Sequence, residues 1–294
     1  MAFYSIKDLE KISGIKAHTI RIWERRYNLI EPERTATNIR YYNDDDLKRI
    51  LNVSILNQNG YKISKIAQMN EAQLRERVID LCLDTRNTDV QIESLLVSML
   101  EMDEGKFTNV LTNSIIKLGF ESTVETILFP FLDRIGILWQ AGTINPAQEH
   151  FISNLIRQKL IVAIDNEMQN FIPKGDKNIV FFLPENELHE IGLLFYSLIA
   201  RKEGYNVVYL GASVPTEDLK VVVDVRKADA LFTSFVAARK QEELELLMSE
   251  IAGSIPDIPV YIMGLQIKEM QPKIPSRCQI ITSSKDFKNL LNQL

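Results

Sequence analysis

Cysteine is almost missing from this sequence: Cys82 and Cys278 are the only two among 294 residues, and they lie far apart. A disulfide framework and an all-protein zinc site are therefore excluded, and a reducing cytoplasm fits. Long apolar runs are missing too, and without a stretch of about 18 such residues no transmembrane helix is expected. Residues 1–11 lack the basic and apolar regions of a signal peptide, so the expected location is cytoplasmic, away from membranes. Histidine is scarce, with only His18, His150 and His189. No nucleophile–base pair and no glycine-rich phosphate loop is present, so no enzyme is expected.

What is present is globular: 46% apolar and 25% charged residues in a chain long enough for two or three domains. The net charge of −5 is unevenly spread. Residues 1–70 carry 12 Lys and Arg against 8 Asp and Glu, and the rest carries 22 against 31. A basic head on an acidic body suits a local footprint for phosphate, although many surface domains reach such a charge by chance.

Three segments follow, giving a multidomain α and α/β chain. Residues 1–70 read as short helices and turns. Ser5 and Asp8 form a capping box, Ile6, Leu9 and Ile12 mark an apolar face, and Gly14 ends the helix. A second helix over 16–27 completes a helix-turn-helix, 29–42 reads as a small β-wing, and 44–57 and 63–69 return to helix. Residues 71–171 read as a bundle of about four helices, with faces at Leu95–Leu100, Val110–Leu118, Val124–Ile135 and Phe151–Ile164, broken at Gly105, Gly119 and Gly142. Past a polar linker at 172–177, residues 178–294 alternate short apolar runs (179–183, 207–210, 230–232, 260–263, 280–281) with helical stretches. That pattern predicts a doubly wound parallel sheet, with ligands at the carboxyl ends of its strands.

In the second helix, Ile20 and Trp23 suit a core, while His18, Thr19, Arg21 and Arg25 point outward, as a groove-reading helix or a plain solvated amphipathic helix would have them. The order Tyr4-Ser5-Ile6, then Thr19 through Tyr27, Pro32, Arg34, Asn38-Ile39-Arg40-Tyr41-Tyr42 and Leu47 resembles the winged helix-turn-helix head of the MerR family of transcription regulators. The resemblance implies binding to double-stranded operator DNA. His18, Thr19, Arg21 and Arg25 would lie at the groove, and Arg34, Asn38, Arg40 and Tyr41 or Tyr42 would hold the backbone. It also implies a dimer or higher oligomer on repeated half-sites.

The loop after the first long strand reads Pro184-Glu185-Asn186-Glu187-Leu188-His189-Glu190-Ile191-Gly192. Imidazole is a good metal ligand, a carboxylate two residues earlier can fix its tautomer, and Gly192 admits a close approach; an ordinary loop histidine among acids reads the same way. Glu187-x-His189-x-x-Gly192 resembles the Asp-x-His-x-x-Gly signature of Rossmann-like cobalamin-binding modules. After 41 intervening residues comes Ser234-Phe235-Val236, similar to their Ser-x-Leu, and after 27 more comes Gly264-Leu265, where they have Gly-Gly. The resemblance implies His189 on cobalt and the displaced nucleotide tail near Ser234 and Gly264. Three positions depart from the pattern: Glu187, Val236 and Leu265.

In the bundle, Trp139 followed after nine residues by Glu149-His150 resembles the cap motif of light-sensing MerR-type cobalamin regulators, although a core tryptophan and a helix surface fit these residues equally well. The resemblance implies that these residues shelter the adenosyl face of adenosylcobalamin. It further implies a repressor, assembled as a dimer or tetramer, that light releases from DNA. Gln140 stands where the photoreceptors carry a second cobalt-binding histidine. Two alternatives stay open: a cobalamin-independent regulator on the same fold, and a corrinoid methyl-transfer component like part of cobalamin-dependent methionine synthase.

Overall fold

The computed structural model describes residues 4–34, 38–84, 88–140, 144–169, 171–255 and 258–294, with the backbone alone at 79, 82–84, 137, 139 and 140. The chain divides into two compact units, residues 1–154 and 155–294.

The first unit begins with α1 (Ile6–Ser13). The Ser5 side chain accepts from the Asp8 amide, Asp8 bonds back to the Ser5 amide, and Gly14 closes the helix at φ 72°, a backbone region that glycine enters without strain. After the tight turn, α2 (Ala17–Tyr27) buries Ile20 and Trp23. The wing is two short antiparallel strands, β1 (Glu33–Arg34) and β2 (Arg40–Tyr41). Asn43 and Asp46 then form a second capping box that starts α3 (Asp44–Gln58). Three consecutive aspartates in its first turn complement the helix dipole. A single turn, α4 (Ile63–Ile66), stands where 63–69 predicts a longer helix.

The bundle opens with α5 (Glu71–Asp84), one helix more than the four apolar faces named from the sequence. Next come α6 (Thr88–Glu101), buried from Val90 to Leu100, and α7 (Glu104–Leu118). The break expected at Gly105 falls earlier: Met102 takes φ 51°, Asp103 caps α7 by accepting from the Lys106 amide, and Gly105 sits in the first turn. The break placed at Gly142 lies outside the described residues. The short α8 (Phe120–Thr123) runs through a widened π-helical turn (Val124–Leu128) into α9 (Phe129–Gln140). Pro130 is the second residue past that turn. A proline ring collides with the carbonyl four residues back and brings no N–H, so a locally widened helix accommodates it. Then α10 (Pro146–Gln169) starts in the first unit and ends in the second.

The second unit is built on a five-stranded parallel sheet: β3 (Asn178–Pro184), β4 (Asn206–Val214), β5 (Ala230–Ser234), β6 (Val260–Met263) and β7 (Cys278–Ile280), in the order β4-β3-β5-β6-β7. The last strand lies slightly before the apolar pair 280–281. Between the strands run α11 (Ile191–Lys202), α12 (Leu219–Arg226), α13 (Gln241–Ser254) and α14 (Leu265–Met270), and α15 (Ser284–Leu291) closes the chain. One sheet face stacks Phe181, Phe232 and Tyr261 with Tyr196 of α11 and Phe287 of α15. The other packs Val180, Leu231, Val260 and Ile262 against α12 and α13. Because β4 and β5 flank β3 on opposite sides, the topological switch point falls between β3 and β5, where sheets of this kind place their ligands.

Candidate functional site

On the head, His18, Arg21 and Arg25 are exposed along α2 and Thr19 is half-buried. The wing is pre-ordered by its own polar contacts. Arg34 donates to Asn38 Oδ1 at 2.6 Å, and the Tyr41 hydroxyl donates to Glu33 at 2.6 Å. Glu24, on the far turn of α2, ties helix to wing: its Oε1 pairs with Arg40 at 3.2 Å and its Oε2 accepts from the Tyr42 hydroxyl at 3.3 Å. Sequence reading missed Glu24, since contacts 16 and 18 residues apart leave no local pattern. Tyr42 corrects an expectation. It is fully buried, exchanges backbone hydrogen bonds with Tyr4, and so belongs to the core of the head and not to a phosphate-facing surface.

At the carboxyl end of the sheet, Glu187 is fully buried while His189 is 57% exposed. Four hydrogen bonds converge on this carboxylate: Oε1 accepts from the His189 amide at 3.1 Å and from Nδ1 at 2.6 Å, and Oε2 accepts from the Val236 and Ala237 amides, both at 2.8 Å. Burial pushes the Glu187 carboxyl up. The His189 ring and the three amides outweigh it and hold the group down at about 2. An ionised carboxylate only accepts, so the proton of a neutral His189 ring sits on Nδ1 and a metal would be met by Nε2. The same loop is braced from β4, where the Ser213 amide donates to the Glu187 carbonyl at 3.2 Å and the Asn186 amide to Ser213 Oγ at 3.3 Å.

The other expected residues gather at this end. The Ser234 hydroxyl is buried and has no hydrogen-bond partner among the described residues, a polar group that a bound molecule could satisfy. Gly264 has φ 118°, and a Cβ there would meet the Phe235 carbonyl oxygen at 2.2 Å; the glycine is required by the chain's own close backbone approach. Gly192 lies in the first turn of α11, where a Cβ would meet the Met263 methyl at 3.3 Å. Two neighbours escaped sequence reading. Glu190 forms an ion pair with Arg157 and accepts from the Tyr209 hydroxyl at 2.9 Å, and burial followed by Glu190's charge raises the Tyr209 phenol. Glu190 read only as one more acid in the loop, and Tyr209 only as part of a strand.

In the first unit, Glu149 and His150 occupy the start of α10, with His150 Nδ1 3.2 Å from Glu149 and the imidazole well exposed. The side chains of Trp139 and Gln140 lie outside the described residues, as does that of Cys82; Cys278 is buried. Among the described residues no group of three metal-ligating side chains is found, and no helix is long and apolar enough to cross a membrane.

Residues 4–73 match the MerR HTH family regulatory protein model, and residues 91–163 match a B12 binding domain model. The chain carries a MerR head and a B12-binding domain. It is 29% identical over 279 residues to the HTH-type transcriptional repressor CarH of Myxococcus xanthus, covering 91% of each chain. It is 28% identical over 293 residues to the repressor CarA of the same organism, covering 98% of this chain and 96% of CarA. Among solved structures, the monomethylamine corrinoid protein of Methanosarcina barkeri aligns at a TM-score of 0.40 and 15% identity, over 74% of this chain and 97% of that one. The MerR head is thus joined to the bundle matched as a B12 binding domain, and the Glu187–His189 loop lies in the sheet that follows.

Proposed function

We propose that this protein is a transcriptional repressor that binds double-stranded operator DNA through its MerR head and senses adenosylcobalamin, and with it light, through the rest of the chain. The observation that carries this reading is the Glu187–His189 loop: a histidine held by a buried, ionised carboxylate at the switch point of a parallel sheet whose Ser234 hydroxyl is buried without a partner among the described residues.

The residues present suit the cofactor. His189 would hold cobalt through Nε2, Glu187 fixes the ring's tautomer and orientation, and Ser234 offers a buried hydroxyl to the nucleotide tail. A bound adenosylcobalamin supplies a cobalt–carbon bond that light can break. On the head, His18, Thr19, Arg21 and Arg25 read or grip the groove, and Arg34, Asn38, Arg40 and Tyr41 hold the phosphate backbone. The spacing of Trp139, Glu149 and His150 supports a role for these residues toward the adenosyl group. The chain works as a dimer or tetramer, so that several heads engage one operator and avidity multiplies their individual affinities. The cofactor favours the assembled, DNA-bound form only by its differential affinity for that form. No catalytic role is assigned.

The test is an absorbance spectrum after incubation with adenosylcobalamin in the dark and desalting, beside His189→Ala. A retained corrin spectrum that changes on illumination, and is altered or lost in the variant, supports the reading. A protein that retains no corrin yet binds operator DNA would overturn the cobalamin half and favour a cobalamin-independent regulator.

A further inference from the structure

The groove that would take the nucleotide tail is not open. Ser234 ends β5 and is paired in register with Met263, which ends β6, so the two side chains leave the same face of the sheet. That face is the one covered by α11 and α15, as the packing of Phe232 and Tyr261 two residues earlier against Phe287 of α15, and of Phe232 against Tyr196 of α11, shows. Met263 reaches across from β6 to the first turn of α11. Its methyl and sulfur lie 3.3 Å and 3.5 Å from where a Cβ on residue 192 would stand. The thioether therefore spans the gap between sheet and helix at Gly192, beside the buried Ser234 hydroxyl. Gly192, which from sequence admits a ligand, here admits a neighbouring side chain.

Methionine is suited to temporary filling. It is unbranched, has three rotatable side-chain bonds and carries a polarisable sulfur, so it fills an irregular gap and leaves it at modest cost. Met263 is only half-buried, which gives it a way out toward solvent. A fully buried Ile or Phe at this place would have no such exit.

We propose that Met263 is a movable plug in the groove between the sheet and α11, and that it sets the chain's selectivity between corrinoids that carry a nucleotide tail and those that lack one. This inference rests on the cobalamin reading above. A tailed corrinoid has to push the thioether aside before it reaches Ser234. A corrinoid without the tail docks on the His189 loop and leaves Met263 where it is. Met263 is thus a specificity residue and not a ligand of the metal.

The experiment compares hydroxocobalamin with diaquocobinamide, which shares the corrin but lacks the nucleotide tail, in titrations of the full chain followed by corrin absorbance. Met263→Ala opens the groove and Met263→Phe obstructs it, and the thermal midpoint of each variant reports whether it folds. The expected result is that hydroxocobalamin binds about tenfold tighter to Met263→Ala and about tenfold weaker to Met263→Phe, a span set by displacing one flexible side chain. The cobinamide affinity stays within about twofold throughout. Affinities for the two corrinoids that move together, or that do not move, overturn the plug and leave the cobalamin reading in place. Binding of neither corrinoid to any of the three proteins overturns that reading itself, and the inference with it.

Discussion

Arg134, on α9 of the bundle, donates a hydrogen bond from its guanidinium to the main-chain carbonyl of Ile12, in the last turn of α1 and 122 residues earlier in the sequence. The last carbonyls of a helix have no partner within it, so this bond satisfies a group that would otherwise be left to solvent or to nothing. The next carbonyl, that of Ser13, accepts from Ser54 of α3 at 3.0 Å. The turn between the two helices of the head is therefore held by side chains from α9 and α3. Arg134→Ala is expected to destabilise the first unit by about 1–3 kcal/mol, the usual cost of unpairing a buried acceptor from a charged donor. Arg134→Lys should recover part of that loss. Denaturant midpoints that are identical for wild type and Arg134→Ala would show that the contact contributes nothing.

Glu93 of α6 gives this unit a pH dependence of unusual sign. Burial raises its carboxyl from 4.5 to about 7; the positive charge of Arg134 pulls it back only in part, and Asp89 adds to the rise. One carboxyl oxygen, Oε2, is buried without a hydrogen-bond partner among the described residues. Between those two values the folded chain holds a proton that the unfolded chain has lost, so stability falls as pH rises through this window. Below it both states are protonated, and the contribution is constant. Glu93→Gln is expected to remove the dependence and to be more stable than wild type at pH ~8, by on the order of 1–3 kcal/mol. Parallel stability curves for the two proteins between pH ~5 and ~8 would refute the assignment.

Glu187 behaves in the opposite sense. Its folded value of about 2 lies below the ordinary 4.5, so the stability it supplies is present above 4.5 and is lost as pH falls toward 2. In Glu187→Gln the amide offers one acceptor oxygen where two carboxylate oxygens served, and its NH2 faces amides that also donate. A loss of roughly 2–4 kcal/mol at neutral pH is expected. The gap between variant and wild type should shrink on acidification, and that convergence distinguishes a charge effect from a packing effect. A gap that stays constant from pH ~7 to pH ~3 would show that ionisation of Glu187 plays no part.

The features legible in the sequence were those set by near neighbours. Ser5, Asp8 and Gly14 mark the ends of α1 because capping is a matter of three or four residues, and the Val-, Ile- and Phe-rich runs mark strands because parallel sheets are covered on both faces. The Glu187–His189 pair was legible for the same reason, being two residues apart. What depended on distant partners was not. Adjacent Tyr41 and Tyr42 must point to opposite sides of a strand, but alternation does not say which goes inward; the pairing of Tyr42 with Tyr4 decides it. The widened turn before Pro130 and the reach of Met263 to Gly192 likewise depend on three-dimensional packing, which no periodicity records.

The split between Tyr41 and Tyr42 bears directly on DNA binding. Arg21 is exposed on α2, and a guanidinium at a groove grips phosphate or reads guanine. Arg21→Ala should therefore weaken operator binding by about tenfold at moderate salt and, if the contact is to phosphate, make the salt dependence shallower by about one counterion. Tyr42→Phe should leave operator affinity within about twofold, because the ring faces the core and its hydroxyl meets Glu24 and not solvent. Its effect belongs to stability: burial, followed by the charge of Glu24, pushes the phenol up to about 12, so the group is a neutral donor at any working pH and its removal costs about one hydrogen bond. Titrations of both variants against one operator fragment at two salt concentrations would measure this. Were Tyr42→Phe to lose affinity and salt dependence as Arg21→Ala does, Tyr42 would be a phosphate contact after all, and the wing would have to rearrange on DNA to expose it.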